Sequence, residues 1–177
     1  MMPIVMDGAT ALGSWPAFGT LSLLCLLFFG YLVPRSKAPI FARAGATLPR
    51  KVLDECFPTW TPQTAVRFLA AIGPDGRAAY RRFYWTMDFW FPGATASLTI
   101  ASLMLIAFPP VSGWAWLCVL AVPSWLFDVA ENIILYQMAG SFPNLSSTAV
   151  TLGPVFTCLK WVCAILPLPI ALAGFVV

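Results

Sequence analysis

Four stretches of this chain, about 15–33, 86–108, 113–138 and 149–175, are apolar over lengths close to or above the ~20 residues an α-helix needs to cross a bilayer. Inside hydrocarbon every backbone N–H and C=O must be satisfied by the protein itself, which leaves helices and closed barrels as the spanning structures. A barrel is written in short segments of alternating polarity, whereas LSLLCLLFFGYLV and TIASLMLIAF are continuously apolar. The expected fold is all-α: a polytopic membrane four-helix bundle, with residues 1–177 forming one transmembrane domain. Composition agrees, since 10% of the residues are charged and mean hydropathy is +0.84, against a charged share of ~25% in soluble domains. The segment MMPIVMDGAT ahead of the first run has an aspartate and no basic residue, so that run is expected to stay as a membrane helix and not to act as a secretory signal.

Residue types narrow the chemistry. Histidine is absent, which removes histidine-ligated haem, iron or zinc and histidine acid–base catalysis. The five cysteines, at 25, 56, 118, 158 and 163, form no CxxC pair, and four lie within apolar runs, where cysteine behaves as a small hydrophobe. Neither a phosphate-binding glycine loop nor a nucleophile elbow is present. The sequence therefore assigns no catalytic residue, no cofactor site and no metal site.

Charge is distributed unevenly. Nine of the ten basic residues (Arg35, Lys37, Arg43, Arg50, Lys51, Arg67, Arg77, Arg81 and Arg82) fall between the first and second runs, against Asp54, Glu55 and Asp75, so the loop 34–83 is strongly basic. The positive-inside rule puts this loop on the cytoplasmic, matrix or stromal side, with both termini opposite. Within it, TPQTAVRFLAAIG reads as an amphipathic helix: Thr61 caps, Pro62 takes the first helical position, Gly73 ends it, and Val66, Leu69 and Ile72 share a face. It is expected to lie at the interface or against the end of the bundle. A second helix is expected to start with Asp75 as its cap and run on into the second span, with Tyr80, Tyr84 and Trp85 at headgroup depth. Nothing in the loop forms a nucleic-acid surface. Arg35, Lys37, Arg50, Lys51, Arg77, Arg81 and Arg82 are the candidate contacts for lipid headgroups or partner proteins, with a bound phospholipid such as cardiolipin as the expected ligand.

The membrane runs are not uniformly apolar. Counting ~1.5 Å per residue from the basic side, Asp128 on the third run and Lys160 on the fourth reach the same depth, while Glu131, Asn132 and Asp88 form a shallower layer. Asp128, Glu131 and Asn132 are spaced i, i+3, i+4 and share a face continued by Ser124. Asp88, Thr95, Thr99 and Ser102 line another. An unpaired charge at helix centre costs ~2.5–3.5 kcal/mol even on the lenient insertion scale, so these groups are expected to turn inward, with Lys160 pairing Asp128 or Glu131. Carbonyls freed at Pro92, Pro123 and Pro154 are candidate acceptors for Asn132 or Lys160. Gly93, Ser97 and Ala101 allow close approach of a neighbouring helix. The cluster Asp88, Asp128, Glu131, Asn132 and Lys160 reads either as a polar clamp or as the lining of a pocket.

Through TPQTAVRFLAAIGPDGRAAYRRFYWTMDFWFP, FDVAEN and CLKW the chain resembles a group of small four-helix membrane proteins in which an intramembrane Asp, a DxxEN set and a Lys recur, here Asp88, Asp128, Glu131, Asn132 and Lys160. The resemblance implies an architecture and carries no activity. At the level of fold alone, the chain is also comparable to the sterol-isomerase and sigma-2-receptor type of helical bundle, which buries carboxylates beneath a lipid-accessible pocket.

On the sequence, the first expectation is a non-catalytic accessory subunit of a large energy-converting membrane complex, packed against core helices and lipid. The mitochondrial inner membrane comes first and a thylakoid or bacterial membrane next. The alternative is a lipid-binding or lipid-isomerising membrane enzyme with an intramembrane carboxylate pocket. A proton or cation transporter ranks last, because the half of the bundle near the termini is almost free of ionisable residues.

Overall fold

The computed structural model describes residues 2–42 and 51–176; Arg43 and Arg50 lie outside the described residues. Among the described residues there is no strand, and the order is α1 (Met2–Leu12), α2 (Trp15–Phe41), α3 (Pro62–Ala71), α4 (Gly73–Ala107), α5 (Ala115–Ser141) and α6 (Ser147–Gly174). Helices α2, α4, α5 and α6 are each long and apolar enough to cross a membrane, so the chain is an all-α polytopic bundle.

Helix starts follow local chemistry. Ser14 caps α2 by accepting from Ala17 N at 3.3 Å, and Thr61 caps α3 by accepting from Thr64 N at 3.2 Å, each with a proline in the first turn that needs no N–H partner. Gly73, at φ +66°, turns the chain from α3 straight into α4. Asp75 is not the cap expected for it, because Gly73 and Pro74 already begin the helix; it sits in the first turn, where the helix dipole still favours an acid.

Helices α2 and α4 extend further into the basic region than their apolar runs. Val33, Lys37 and Ile40 keep one side of α2 buried, and Gly76, Tyr80, Phe83 and Tyr84 do the same for α4. Tyr80 and Tyr84 were expected at the headgroups, but an i, i+4 stripe pointing into protein buries both, and only Trp85 faces outward. On α3 the buried face is Ala65, Phe68 and Leu69, and Val66, expected there, is exposed.

The larger hydrophobic core therefore lies at the basic end. It joins Val33 and Ile40 of α2, Val52, Leu53 and Trp60 of the connecting segment, Phe68 and Leu69 of α3, Tyr80 and Tyr84 of α4, and Leu135 and Met138 of α5. A smaller core around Met104, Ala107 and Ala171 closes the other end, where Trp15 stacks on Phe175 and Ser102 Oγ donates to Leu12 O at 2.6 Å. The middle of the bundle is left to the polar groups.

Two helical irregularities face each other there. Pro92 has no N–H to give the carbonyl of Asp88, and its ring crowds that carbonyl. α4 responds with a π-turn over Tyr84–Asp88, in which Phe89 N reaches Tyr84 O at 3.0 Å, and the helix resumes at Pro92. α2 carries a second π-turn over Phe28–Leu32, ahead of Pro34, and Phe28 stacks on Phe91 at 5.7 Å between ring centroids. Such turns often mark functional positions in helices.

Candidate functional site

Between the two π-turns lies a cavity of about 200 Å³. Phe29, Val33 and Lys37 of α2, Asp88, Pro92, Gly93 and Ala96 of α4, Ser124 and Asp128 of α5, and Lys160, Trp161 and Ala164 of α6 form its walls. Asp54 and Glu55, from the turn Leu53–Glu55, close its basic end.

Lys160 is the centre of the polar wall. Its Nζ lies 3.1 Å from Asp128 Oδ1 and 2.6 Å from Glu131 Oε2, so it bridges both acids of α5. Thr157, one turn before Lys160 on α6, donates to Glu131 Oε1, and Ser124 Oγ reaches Lys160 O at 3.4 Å. Glu131 is fully buried, at 0% exposure, and a carboxylate so placed persists only with such partners. Gly93 makes the approach possible, since a Cβ there would run into the Asp128 carboxylate, with Asp128 Cγ only 3.2 Å away.

A second set comes from the basic segment. Lys37 Nζ pairs with Glu55 Oε1 at 2.5 Å, while Glu55 Oε2 accepts from Val52 N at 3.1 Å. Tyr84 Oη donates to Asp54 Oδ1 at 2.6 Å, with the Tyr80 hydroxyl 3.1 Å from that of Tyr84. Lys37 was expected at the headgroups; it is 7% exposed and turned inward, because the helical stripe it shares with Val33 and Ile40 faces the core and Glu55 waits there. Asp54 and Glu55 were not singled out from the sequence. The available signal was an acid pair inside an otherwise basic loop, preceded by the apolar Val52 and Leu53.

Asp88 stands apart. It is 7% exposed, lines the cavity, and among the described residues has neither an ion pair nor a side-chain hydrogen bond. Trp161, also in the wall, has an unpartnered indole N–H. With Asp54, Glu55, Asp88, Asp128 and Glu131 set against Lys37 and Lys160, the cluster carries an excess of acid, which favours a ligand head that is cationic or donates hydrogen bonds. None of the acids is grouped with others in a way that could hold a metal ion, among the described residues.

Asn132 departs from the set. At 100° per residue, Glu131 lies about 60° to one side of Asp128 and Asn132 about 40° to the other. Glu131 consequently meets α6, and Asn132 turns to a groove beside α4 lined by Tyr84, Trp85 and Phe89. It is 1% exposed and neither amide atom has a partner, so no proline-freed carbonyl serves it as expected. Lys160 binds carboxylates instead.

The remaining basic candidates stay outside the cavity. Arg35 lies over the Tyr31 ring, and Lys51 and Arg82 are exposed. Arg77 donates to Leu69 O at 2.9 Å and covers the Phe142 ring, while Arg81 donates to Tyr136 Oη at 2.8 Å. Cys56, beside Asp54 and outside the spans, has its thiol pKa raised by burial and then by the Asp54 charge, which makes it a poor nucleophile at neutral pH.

The cavity thus offers a paired acid–base layer, a carboxylate without a contact ion pair or side-chain hydrogen bond, and an apolar wall that includes Phe29, Val33, Pro92 and Ala164. Comparison of the chain with protein-family models, with curated proteins and with solved structures returns no match.

Proposed function

We propose that the chain is a lipid-binding membrane protein whose intramembrane carboxylate cavity takes the polar head of an amphiphile and exchanges protons with it. The observation that carries this reading is Asp88: buried, without a partner, and facing the same cavity as the Lys160–Asp128 pair. A purely architectural clamp gains nothing from an unpaired acid in a cavity wall, since that acid costs desolvation and fixes no neighbour.

Cavity size defines what enters. About 200 Å³ is below the ~300–1,000 Å³ of pockets that enclose a drug-sized ligand. It suits a head group, with the tail passing between helices into lipid. A carboxyl group that accepts a proton beside a paired ammonium that holds its place can add a proton to a bound lipid at one position and remove it at another, which is isomerisation. Transport is the weaker reading. Beyond Asp128 and Lys160 towards the termini, the four spans contain no Asp, Glu, Lys or Arg. The basic end is assigned to the cytoplasmic, matrix or stromal face by its charge.

The test is to purify the full chain in mild detergent and identify by native mass spectrometry what remains bound. A stoichiometric amphiphile retained by the wild type and lost from Asp88→Asn, with the fold kept by circular dichroism, is the expected result. A chain that carries no ligand, that sits in a large complex, and whose Asp88→Asn variant behaves as wild type would overturn the reading in favour of an accessory subunit.

A further inference from the structure

The groove on the α4–α5 side has its own polar floor and its own mouth. The π-turn of α4 swings Trp85 and Phe89 outward and opens about 230 Å³ between them and Ile133 of α5. Asn132 is the floor, with both amide atoms buried and unpartnered. A buried amide without a protein partner costs roughly 1–3 kcal/mol, which a ligand group able to accept from it and donate to it removes.

One helical turn nearer the basic end, about 5.4 Å, Tyr136 and Gln137 belong both to this groove and to a wider basin of about 760 Å³ at the basic end. Arg81 reaches into that basin. Its Nη2 is held by Tyr136, but its Nε is buried without a partner, and no carboxylate pairs with its guanidinium among the described residues. Gly140 is what seats it: a Cβ there would meet Arg81 Cζ and Nε at 3.2 Å each. An arginine held by a phenol, packed on a glycine and left without an acid is a prepared anion site. Asn144 and Ser146 add hydrogen-bonding groups around the basin.

We infer that this α4–α5 groove binds a phosphate-bearing lipid, its phosphate on Arg81 and its ester or amide linkage on Asn132, with the acyl chain along Trp85, Phe89 and Ile133. Asn132 lies one helical turn from Tyr136, whose hydroxyl holds Arg81, so the two polar stations are linked along α5. The groove lies on a different wall from the carboxylate cavity, and the inference stands whether or not that cavity binds a ligand.

The experiment uses the full chain, delipidated in detergent, with spin-labelled phosphatidylglycerol as probe and diacylglycerol of the same chains as the phosphate-free control. Phosphatidylglycerol is expected to bind with about tenfold preference over diacylglycerol, one charge-assisted contact being worth that much. Arg81→Gln should abolish the preference, Arg81→Lys should keep part of it, and Asn132→Leu should weaken both lipids. Arg67→Gln, exposed on α3, should change nothing. Equal retention of the two lipids, or an Arg81→Gln variant that binds as wild type while Arg81→Lys shows the chain intact, overturns the inference. Complete displacement by millimolar inorganic phosphate, with diacylglycerol not bound at all, would mean a free-phosphate site and end the lipid assignment.

Discussion

Lys160 holds two carboxylates of one helix at once, and this sets the energetics of the bundle's centre. Removing one member of a buried charge cluster leaves the others uncompensated, a loss of ~3–5 kcal/mol. Lys160→Met is therefore expected to lower stability by that order, read as a drop in detergent unfolding temperature or denaturant midpoint. Adding Asp128→Asn and Glu131→Gln should restore most of it, because neutral amides no longer need the ammonium. A Lys160→Met chain as stable as wild type would show that the pair contributes no net stabilisation. Equal depth and i, i+3 spacing made Asp128 or Glu131 the expected partner of Lys160; that the lysine holds both at once was not legible. The inward turn of Lys37 and the isolation of Asn132 were not legible either, because each depends on which neighbour covers a given side of its helix.

For the elements, length and composition went far. About twenty apolar residues mark a span whatever surrounds it, so α2, α5 and α6 begin within a few residues of their apolar runs. The extension of α4 was legible to within two residues, since a helix capped at Asp75 was expected to run on into the second span. Its break at Phe89–Phe91 was less so, appearing in sequence only as a proline four places after an aspartate. Gly93, next to that proline, leaves room for the Asp128 carboxylate and the Trp125 ring of α5 against α4. Gly93→Val is expected to push α4 from α5, displace the Asp128 carboxylate from Lys160, and cost ~1–3 kcal/mol by overpacking. The accompanying loss of the amphiphile bound in the cavity separates this from Leu98→Val on the exposed face of the same helix, which should leave both stability and binding unchanged.

Across the whole molecule, residues 51–72 of the basic loop form a folded cap. It supplies much of the larger core, and it brings Asp54 and Glu55 to a cavity otherwise built from spanning helices. No periodicity within 51–61 announces this, because the segment is held by contacts with residues about ninety positions away. Trp60 is buried where a Cβ on Gly153 of α6 would stand, and Thr59 donates to the carbonyl of the adjacent Pro154. Gly153 is thus the socket of the cap. Gly153→Val should expel the Trp60 ring, since an indole cannot yield as a flexible side chain does, and the cap should loosen while the far end around Met104 and Ala171 keeps its packing. Amide hydrogen exchange is expected to quicken across 52–72 and stay unchanged across 101–108, the pattern of a local opening and not of global unfolding. Unchanged exchange in the cap would mean that the buried face of α3 holds it without the tryptophan. Faster exchange at both ends would mean that cap and bundle unfold as one unit, with the cavity losing its acidic lid only when the whole chain opens.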